Sequence, residues 1–480
     1  MHTGPTDAHL ARARDPKAEA RERTGDLAHW AARLSWTDVP ADVREHLSLV
    51  LLDTFAVTLA GARTQGQRRI RAAWPQPPGD APLFGADVLT QVDTAAYLNA
   101  TALVCSELDE GGKYAKGHPA GHAFPAILAL AASLGSPGEL TARALLVGYE
   151  VAARHGRATA LHQGAHPHGN WGVTGAAAGC AVLLGLPAER IAAAIDTAAG
   201  LPVAGHFDSA LDGHRVRDAW MGAAAVSGLA AARLAAAGVV RNTGTAALSL
   251  GTLLGAFDTD ALTDGLGDDW QILHNYFKRH ASCSYTHPAA DLALQLRHQH
   301  LGTMTNAQVG AAVVELRVDT HALAAPLKRT GWDNGLAAMF SIPYAVATAL
   351  LDGVVAPATA DATEAERPDL FALARKVSVA EDPELTRRLP HERATRLTAV
   401  LDDGRRVELD APHPVGDSNH HPFTARTLPS MLAALLGDPA TVDRLRSTVD
   451  DLFTTDDVGP PLRALAPLTT RPAAVLGGSA

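Results

Sequence analysis

A change of apolar rhythm near Cys283 limits the folds open to this chain. Before it, apolar residues recur three and four apart, as on one face of a helix. Val43, Leu47, Val50, Leu51 and Phe55 follow that spacing, and Gly61 is placed to stop the helix. The same spacing predicts helices over 42–60, 91–105, 120–134, 141–155, 171–184, 187–199 and 217–237, with no confident strand among them. The segment 171–184 is crowded with Gly172, Gly175, Ala176, Ala177, Ala178 and Gly179, so close helix approach and a central position are expected. After Cys283 the rhythm becomes period two. Val314, Leu316 and Val318 alternate with Glu315, Arg317 and Asp319, as in a half-buried strand. Val377 and Val379 repeat this, and 397–401 and 407–409 flank Asp402-Asp403-Gly404 as a hairpin would. Helices are expected at 286–298 and 338–351, and helical spacing resumes from Ala425 to Phe453.

The expected fold is therefore mainly α: a large all-helical domain at 26–283 and 419–470, interrupted by a smaller α+β domain at 284–418. Residues 1–25 are polar and read as a mobile leader, and 471–480 as a frayed tail. The content of 47% hydrophobic and 19% charged residues suits a large core, and the few aromatics leave small side chains at the contacts. A net charge of −10 with no long basic run argues against nucleic acid. No apolar run is long and uninterrupted enough to be a convincing membrane span. Cys105, Cys180 and Cys283 lack metal-type spacing and suit a reducing, cytoplasmic compartment.

Chemistry is concentrated in Cys105–His122, where Glu107, Asp109, Glu110, Lys113, Tyr114, Lys116, His118 and His122 lie between two apolar runs. The acids follow a helix, so its negative end is expected to raise their pKa values. Three further histidine-bearing stretches hold His162, His166 and His168, then His280 and His287 beside Lys278, then His420 and His421. None has HExxH or cysteine-paired zinc spacing, so no metal is expected. There is no Gly-x-Ser-x-Gly elbow, dinucleotide fingerprint or Walker loop. What remains is an acid–base site without a cofactor, suited to moving a proton next to a carboxylate. Arg217 offers a planar cation for such a group, and Tyr149 a possible proton donor.

These stretches, in their order and spacing, resemble the MmgE/PrpD family from about Leu27 to Leu436. The matching pieces are 51–61, Glu107-Leu-Asp-Glu-Gly, Gly117-His-Pro-Ala-Gly, His166-Pro-His-Gly-Asn-Trp-Gly, 216–222, 277–283 and Phe340-Ser-Ile-Pro-Tyr344. The resemblance implies a helical domain with a smaller α+β lid, a homodimer, and an active site between the domains. It places His118 and Lys278 on catalytic positions and Glu107 near an aspartate position. Arg217 stands where the family's decarboxylase has lysine, and Gly111 about where it has threonine. That decarboxylase carries its second histidine directly after a tryptophan, where this chain reads Trp171-Gly172. His166 or His168 would supply the imidazole instead.

The expected site thus has His118, His166 and Lys278 as catalytic groups, with Arg217, Glu107, Asp109, His168 and Tyr149 binding substrate. Imidazoles can exchange protons near neutral pH, and a lysine can act as cation or, if desolvated, as base. The expected activity is a lyase, dehydratase or decarboxylase, on a small carboxylated substrate. An epimerase on the same site is the neighbouring reading, and a non-catalytic anion binder the reading from another class.

Overall fold

The computed structural model describes residues 15–468. Its chain is mainly α-helical. The first helix, Pro16–Arg33, takes its N-cap from Asp15, whose side chain accepts the Lys17 N–H, and has proline in its first turn. Ala20, Thr24, Leu27, Ala28 and Ala31 on this helix are buried. Part of the expected leader is therefore packed structure; residues 1–14 and the expected tail lie outside the described residues.

Two hydrophobic cores organise the rest. The first gathers helices Ala41–Ala62, Val92–Val104, Pro119–Leu134, Gly138–Ala158, Val173–Leu183, Ala188–Ala199 and Val216–Ala237. The chain then leaves and returns to the same core through Leu428–Leu436 and Pro439–Leu452. Val173–Leu183 is buried along its whole length. Its small residues are the reason: a Cβ on Gly175 would lie 2.3 Å from the Gly148 carbonyl oxygen of the facing helix. Only a side-chain-free position lets those backbones approach so closely. Ala41–Ala62 and Val216–Ala237 are long and apolar enough to cross a membrane by length and composition alone. In the fold both contribute buried residues to the first core.

The second core spans 283–401, with Ala210. It carries a four-stranded sheet in the order Arg406–Ala411, Thr395–Leu401, Val313–Thr320, Val377–Glu381. The first three strands are antiparallel, with Leu397 opposite Leu409 and Val318, and the last is parallel, with Val318 opposite Val379. Leu316 and Val318 are buried while Glu315 and Arg317 are exposed, as expected, but Val314 is exposed and Asp319 buried, contrary to the expected alternation; the register shifts between Val313 and Glu315. Helices His287–Leu296 and Ile342–Asp352 fill the same core.

The helical part is not all-helical. Three two-stranded ribbons pair Ala81–Leu83 with Val88–Thr90, Gly111–Gly112 with Asn275–Tyr276, and Thr159–Leu161 with Gly255–Phe257. Strands of two or three residues are too short to show a period, and Gly111–Gly112 has no side chains to alternate. One of these ribbons shapes the site.

Candidate active site

A cavity of about 830 Å³ opens between the two cores. Glu107, His118, His166, His168 and Arg217 line it from the first core's side. Cys283, Tyr285, Leu323, Phe340 and Arg393 line it from the second. His162, Gln163, His206 and Asp208 are exposed at its mouth, whereas the histidines and Arg217 below are buried.

The acidic stretch owes its shape to the end of helix Val92–Val104. Glu107 has φ +53°, a left-handed conformation that a non-glycine residue adopts at a cost. This turns the chain back, and Gly111 and Gly112 then pair with Tyr276 and Asn275. The Gly112 N–H donates to the Gly117 carbonyl at 2.8 Å. Pro119 opens the next helix, where Glu110 Oε1 accepts the Ala120 N–H at 2.9 Å and Oε2 accepts the Tyr149 hydroxyl at 3.0 Å. One orphan donor of that helix start is thereby satisfied.

His118 is held by this loop. Its Nδ1 lies 2.6 Å from the Glu110 carbonyl oxygen, which can only accept, so Nδ1 carries the hydrogen. Asp109 Oδ2 stands 3.0 Å from the same nitrogen, at ion-pair distance. Nε2 is then the nitrogen left for a molecule in the cavity.

His166 and His168 sit on a pinned loop. The His166 N–H donates to the Gly205 carbonyl at 2.8 Å, and Asn170 Nδ2 donates to the His166 carbonyl at 2.7 Å. His166 Nδ1 accepts the His168 N–H at 3.1 Å, so a neutral His166 carries its hydrogen on Nε2. Its ring stacks on Phe207 at 5.3 Å. Burial, and then the Arg217 charge, push both His166 and His168 well below the usual imidazole range. The expectation that His166 shuttles protons near neutral pH is corrected accordingly: it remains neutral and can serve as an N–H donor.

Glu107 lies between two cations. Its Oε1 is 2.6 Å from Arg217 Nη2, and its Oε2 accepts from Lys278 Nζ at 3.1 Å. Arg217 Nη1 also donates to Asp218 Oδ1 at 2.9 Å and to the Val104 carbonyl at 3.1 Å, while Nη2 lies 3.1 Å from His168 Nδ1. Both terminal nitrogens are thus engaged by the protein, while Nε is buried without a hydrogen-bond partner and the residue lines the cavity. Lys278 is 1% exposed and does not line the cavity. Burial would lower its pKa, but Glu107 and Asp109 (3.8 Å away) outweigh this and raise it, so it is a fixed cation rather than a desolvated base.

The acids diverge, contrary to the uniform rise expected from the helix end. Burial pushes Glu110 up to about 7. Burial would also raise Asp109, but His118 and Lys278 beside it hold it below the carboxylate range. Nearby charge, rather than the helix dipole, separates the two. Asp109 and Tyr149 stand behind the cavity wall, where they position His118 and Glu110 rather than touch a ligand. Among the described residues, no group of three or more His, Cys, Asp or Glu side chains is placed to share a metal ion.

Two departures from the family pattern have a physical counterpart. A Cβ on Gly172 would lie 2.2 Å from His122 Cγ, so the His122 ring fills the space beside Trp171. His122 donates from Nδ1 to the His118 carbonyl at 2.8 Å and accepts the Gly169 N–H on Nε2 at 3.0 Å. Burial brings its pKa down to about 4, and it does not line the cavity. A Cβ on Gly111 would lie 2.3 Å from the Tyr276 hydroxyl and ring, so glycine there leaves room for Tyr276, which does line the cavity. Sequence reasoning missed Tyr276, Tyr285 and Arg393 as site residues. Arg393 follows a turn and precedes a strand, and nothing in its spacing marks it.

The fold and site define a mainly helical protein with a histidine- and carboxylate-lined cavity between its two hydrophobic cores. Residues 25–261 match the model of the MmgE/PrpD N-terminal domain and 280–436 that of the MmgE/PrpD C-terminal domain. The chain belongs to the MmgE/PrpD family. It is similar to a cis-aconitate decarboxylase of Aspergillus terreus, 26% identical over 470 residues, covering 92% of this chain and 95% of the relative. A cis-aconitate decarboxylase-like protein, oryM, of Aspergillus oryzae is 28% identical over 58% of this chain and 62% of its own length. The cis-aconitate decarboxylase of Mus musculus is 27% identical over 60% of this chain and 61% of its own length.

Proposed function

We propose that this chain is a lyase acting on a small carboxylated substrate, with His118 moving the proton and without a cofactor. The observation that carries the reading is the His118 arrangement. Nδ1–H is fixed by the Glu110 carbonyl and Asp109, which leaves Nε2 to the cavity. Asp109, held ionised by its surroundings, favours the imidazolium that forms when Nε2 takes up a proton. His166 Nε2–H donates toward the charge that develops on the substrate.

Of the two lyase routes, decarboxylation is favoured by the relatives' names. The bond from carbon to the departing carboxylate breaks, carbon dioxide leaves, and the electron pair remains on carbon. Protonated His118 delivers a proton there and is recharged from solvent. Elimination of water would begin instead with His118 Nε2 taking the α-proton. We read the second core as a lid over the site, with two copies of the chain forming a dimer.

The test is incubation of the purified chain with cis-aconitate and related carboxylates in deuterated water. Release of carbon dioxide or water supports the lyase. Deuterium incorporation with no group lost would replace it with an epimerase. Activity is expected to survive exhaustive chelation; loss with chelator and recovery with zinc would contradict the cofactor-independent form.

A further inference from the structure

The cavity holds two buried arginines in opposite electrostatic states. Arg217 is neutralised by Glu107 and Asp218. Arg393, 5% exposed, has no such partner. Among the described residues no carboxylate lies at ion-pair distance from it, and its Nη1 is buried without a hydrogen-bond partner; burial would lower its pKa, but Tyr276, Tyr285 and the more distant Asp417 charge outweigh this and raise it. Of the acids nearby, Glu392 pairs with Arg388 at 3.2 Å, and Asp417 pairs through Oδ1 with Lys113 at 3.3 Å, so that it reaches Arg393 only as a charge beyond ion-pair distance. His321, the imidazole close by, is pushed down to about 4 by burial and then by the Arg393 charge, so it is neutral. The guanidinium instead lies over the Tyr276 ring, 4.4 Å from its centroid, and 5.9 Å from that of Tyr285. Ring faces hold a cation in place but do not neutralise it. A buried cation without a counter-ion is costly, and an anion that enters the cavity relieves that cost.

We infer that Arg393, set between Tyr276 and Tyr285, is the carboxylate-binding residue of this cavity, and that the substrate supplies the counter-ion the protein omits. A planar guanidinium suits a carboxylate, which it can grip with two parallel hydrogen bonds. Arg217 then has a different task, holding Glu107 and His168 in place. Gly111 belongs to the same device, because only a residue without a side chain leaves Tyr276 under the guanidinium. The inference deepens the lyase reading by naming the group that selects the substrate, and it rests on that reading for the substrate class.

The experiment measures calorimetric binding of tricarballylate, an unreactive tricarboxylate, to the full chain and to three variants. Arg393→Gln is expected to weaken binding about 100-fold, as for truncating one partner of a buried charge pair. Arg393→Lys keeps the charge but loses the planar fork, and is expected to weaken it about 10-fold. Arg387→Gln, an exposed arginine on the same segment, makes the same charge change and is expected to leave binding unchanged. Binding by Arg393→Gln within about threefold of the parent overturns the inference, as does a parent chain that binds no tricarballylate. If Arg393→Gln fails to fold, Arg393→Lys decides: a loss supports the assignment and unchanged binding overturns it. Turnover is scored separately. A chain that binds through Arg393 but catalyses no group loss keeps this inference and sinks the lyase; one that releases carbon dioxide with Arg393→Gln binding normally does the reverse.

Discussion

The two walls of the cavity handle buried charge in different ways. On one side Arg217, Lys278, Glu107, Asp109 and Asp218 form a network in which each cation meets a carboxylate. On the other, Arg393 lies over aromatic faces with no carboxylate at ion-pair distance, and Asp417 acts on it only from farther off. A completed network can fix geometry, because any displacement separates charges in a low-dielectric interior. An uncompensated cation can recruit a ligand, because the free energy of pairing is still to be gained. The wall bearing His118 is thus built for positioning and the opposite wall for capture. On the proposed reading, that division puts His118 on the rigid side, where a small shift of the imidazole would be most damaging.

The largest expected effect breaks the positioning wall at its reacting group. His118→Asn keeps a polar side chain of similar reach but cannot exchange a proton. Turnover should fall roughly a hundred- to ten-thousand-fold, the usual contribution of a positioned acid or base. Steady-state kinetics with tricarballylate binding measured alongside would check it. Binding near the parent value is expected, since capture lies on the other wall.

Next comes stability, where the walls should differ most clearly. Glu107→Gln leaves Arg217 and Lys278 short of their shared counter-ion and should cost about 3–5 kcal/mol. Arg393→Gln removes an uncompensated buried charge and should change stability by less than about 1 kcal/mol, or raise it. Urea unfolding of both variants gives the comparison directly. Equal losses would mean that Arg393 is as fully paired as Arg217.

A smaller effect depends on pH. Glu110 titrates near 7 in the folded chain because it is buried, against an ordinary value of 4.5. Between those values the folded state holds a proton that the unfolded state has lost, so stability should fall as pH rises from about 4.5 to about 7, by about 3 kcal/mol for this group. Asp53, raised well above its usual value by burial and then by Glu110, adds a slope of the same sign. Asp109 has the opposite sign: its lowered pKa adds stability above the ordinary carboxylate range that is lost at lower pH. Glu110→Gln should remove the first component. Denaturant melts of parent and variant at pH 4.5, 6 and 8 would show it, and identical slopes would rule it out.

The sequence made some of this legible and hid the rest for physical reasons. Long helices such as Gly138–Ala158 and strands such as Val313–Thr320 show because their periods repeat several times. The ribbon of Gly111–Gly112 with Asn275–Tyr276 is invisible because two residues contain no period. His118 stood out in a polar stretch between apolar runs. Arg393 did not, because what matters is the absence of a neighbouring carboxylate in space, and spacing along the chain carries no record of an absence. The burial of Lys278 behind Glu107 is hidden for a similar reason: its position along the chain carries no record of the carboxylate that stands in front of it in space.

The smallest expected effect joins the two walls through one methyl group. Gly111 belongs to the loop that holds His118, yet its missing side chain makes room for Tyr276, which supports Arg393. A Cβ there would meet the Tyr276 Cζ and hydroxyl at 2.3 Å, so the ring must move. Gly111→Ala should cost about 1–3 kcal/mol, the usual range for overpacking a filled site. Its functional signature should be selective: tricarballylate binding weakens as Tyr276 shifts from under the guanidinium, while proton transfer by His118 declines less. Pairing it with Tyr276→Leu, which removes the ring atoms that the Cβ would meet, gives a way to sharpen the result. If the double variant binds no worse than Tyr276→Leu alone, the Gly111→Ala loss runs through Tyr276 and the two walls communicate there. If Gly111→Ala instead abolishes turnover with binding intact, the methyl group has disturbed the His118 loop, and capture on the far wall does not depend on Gly111.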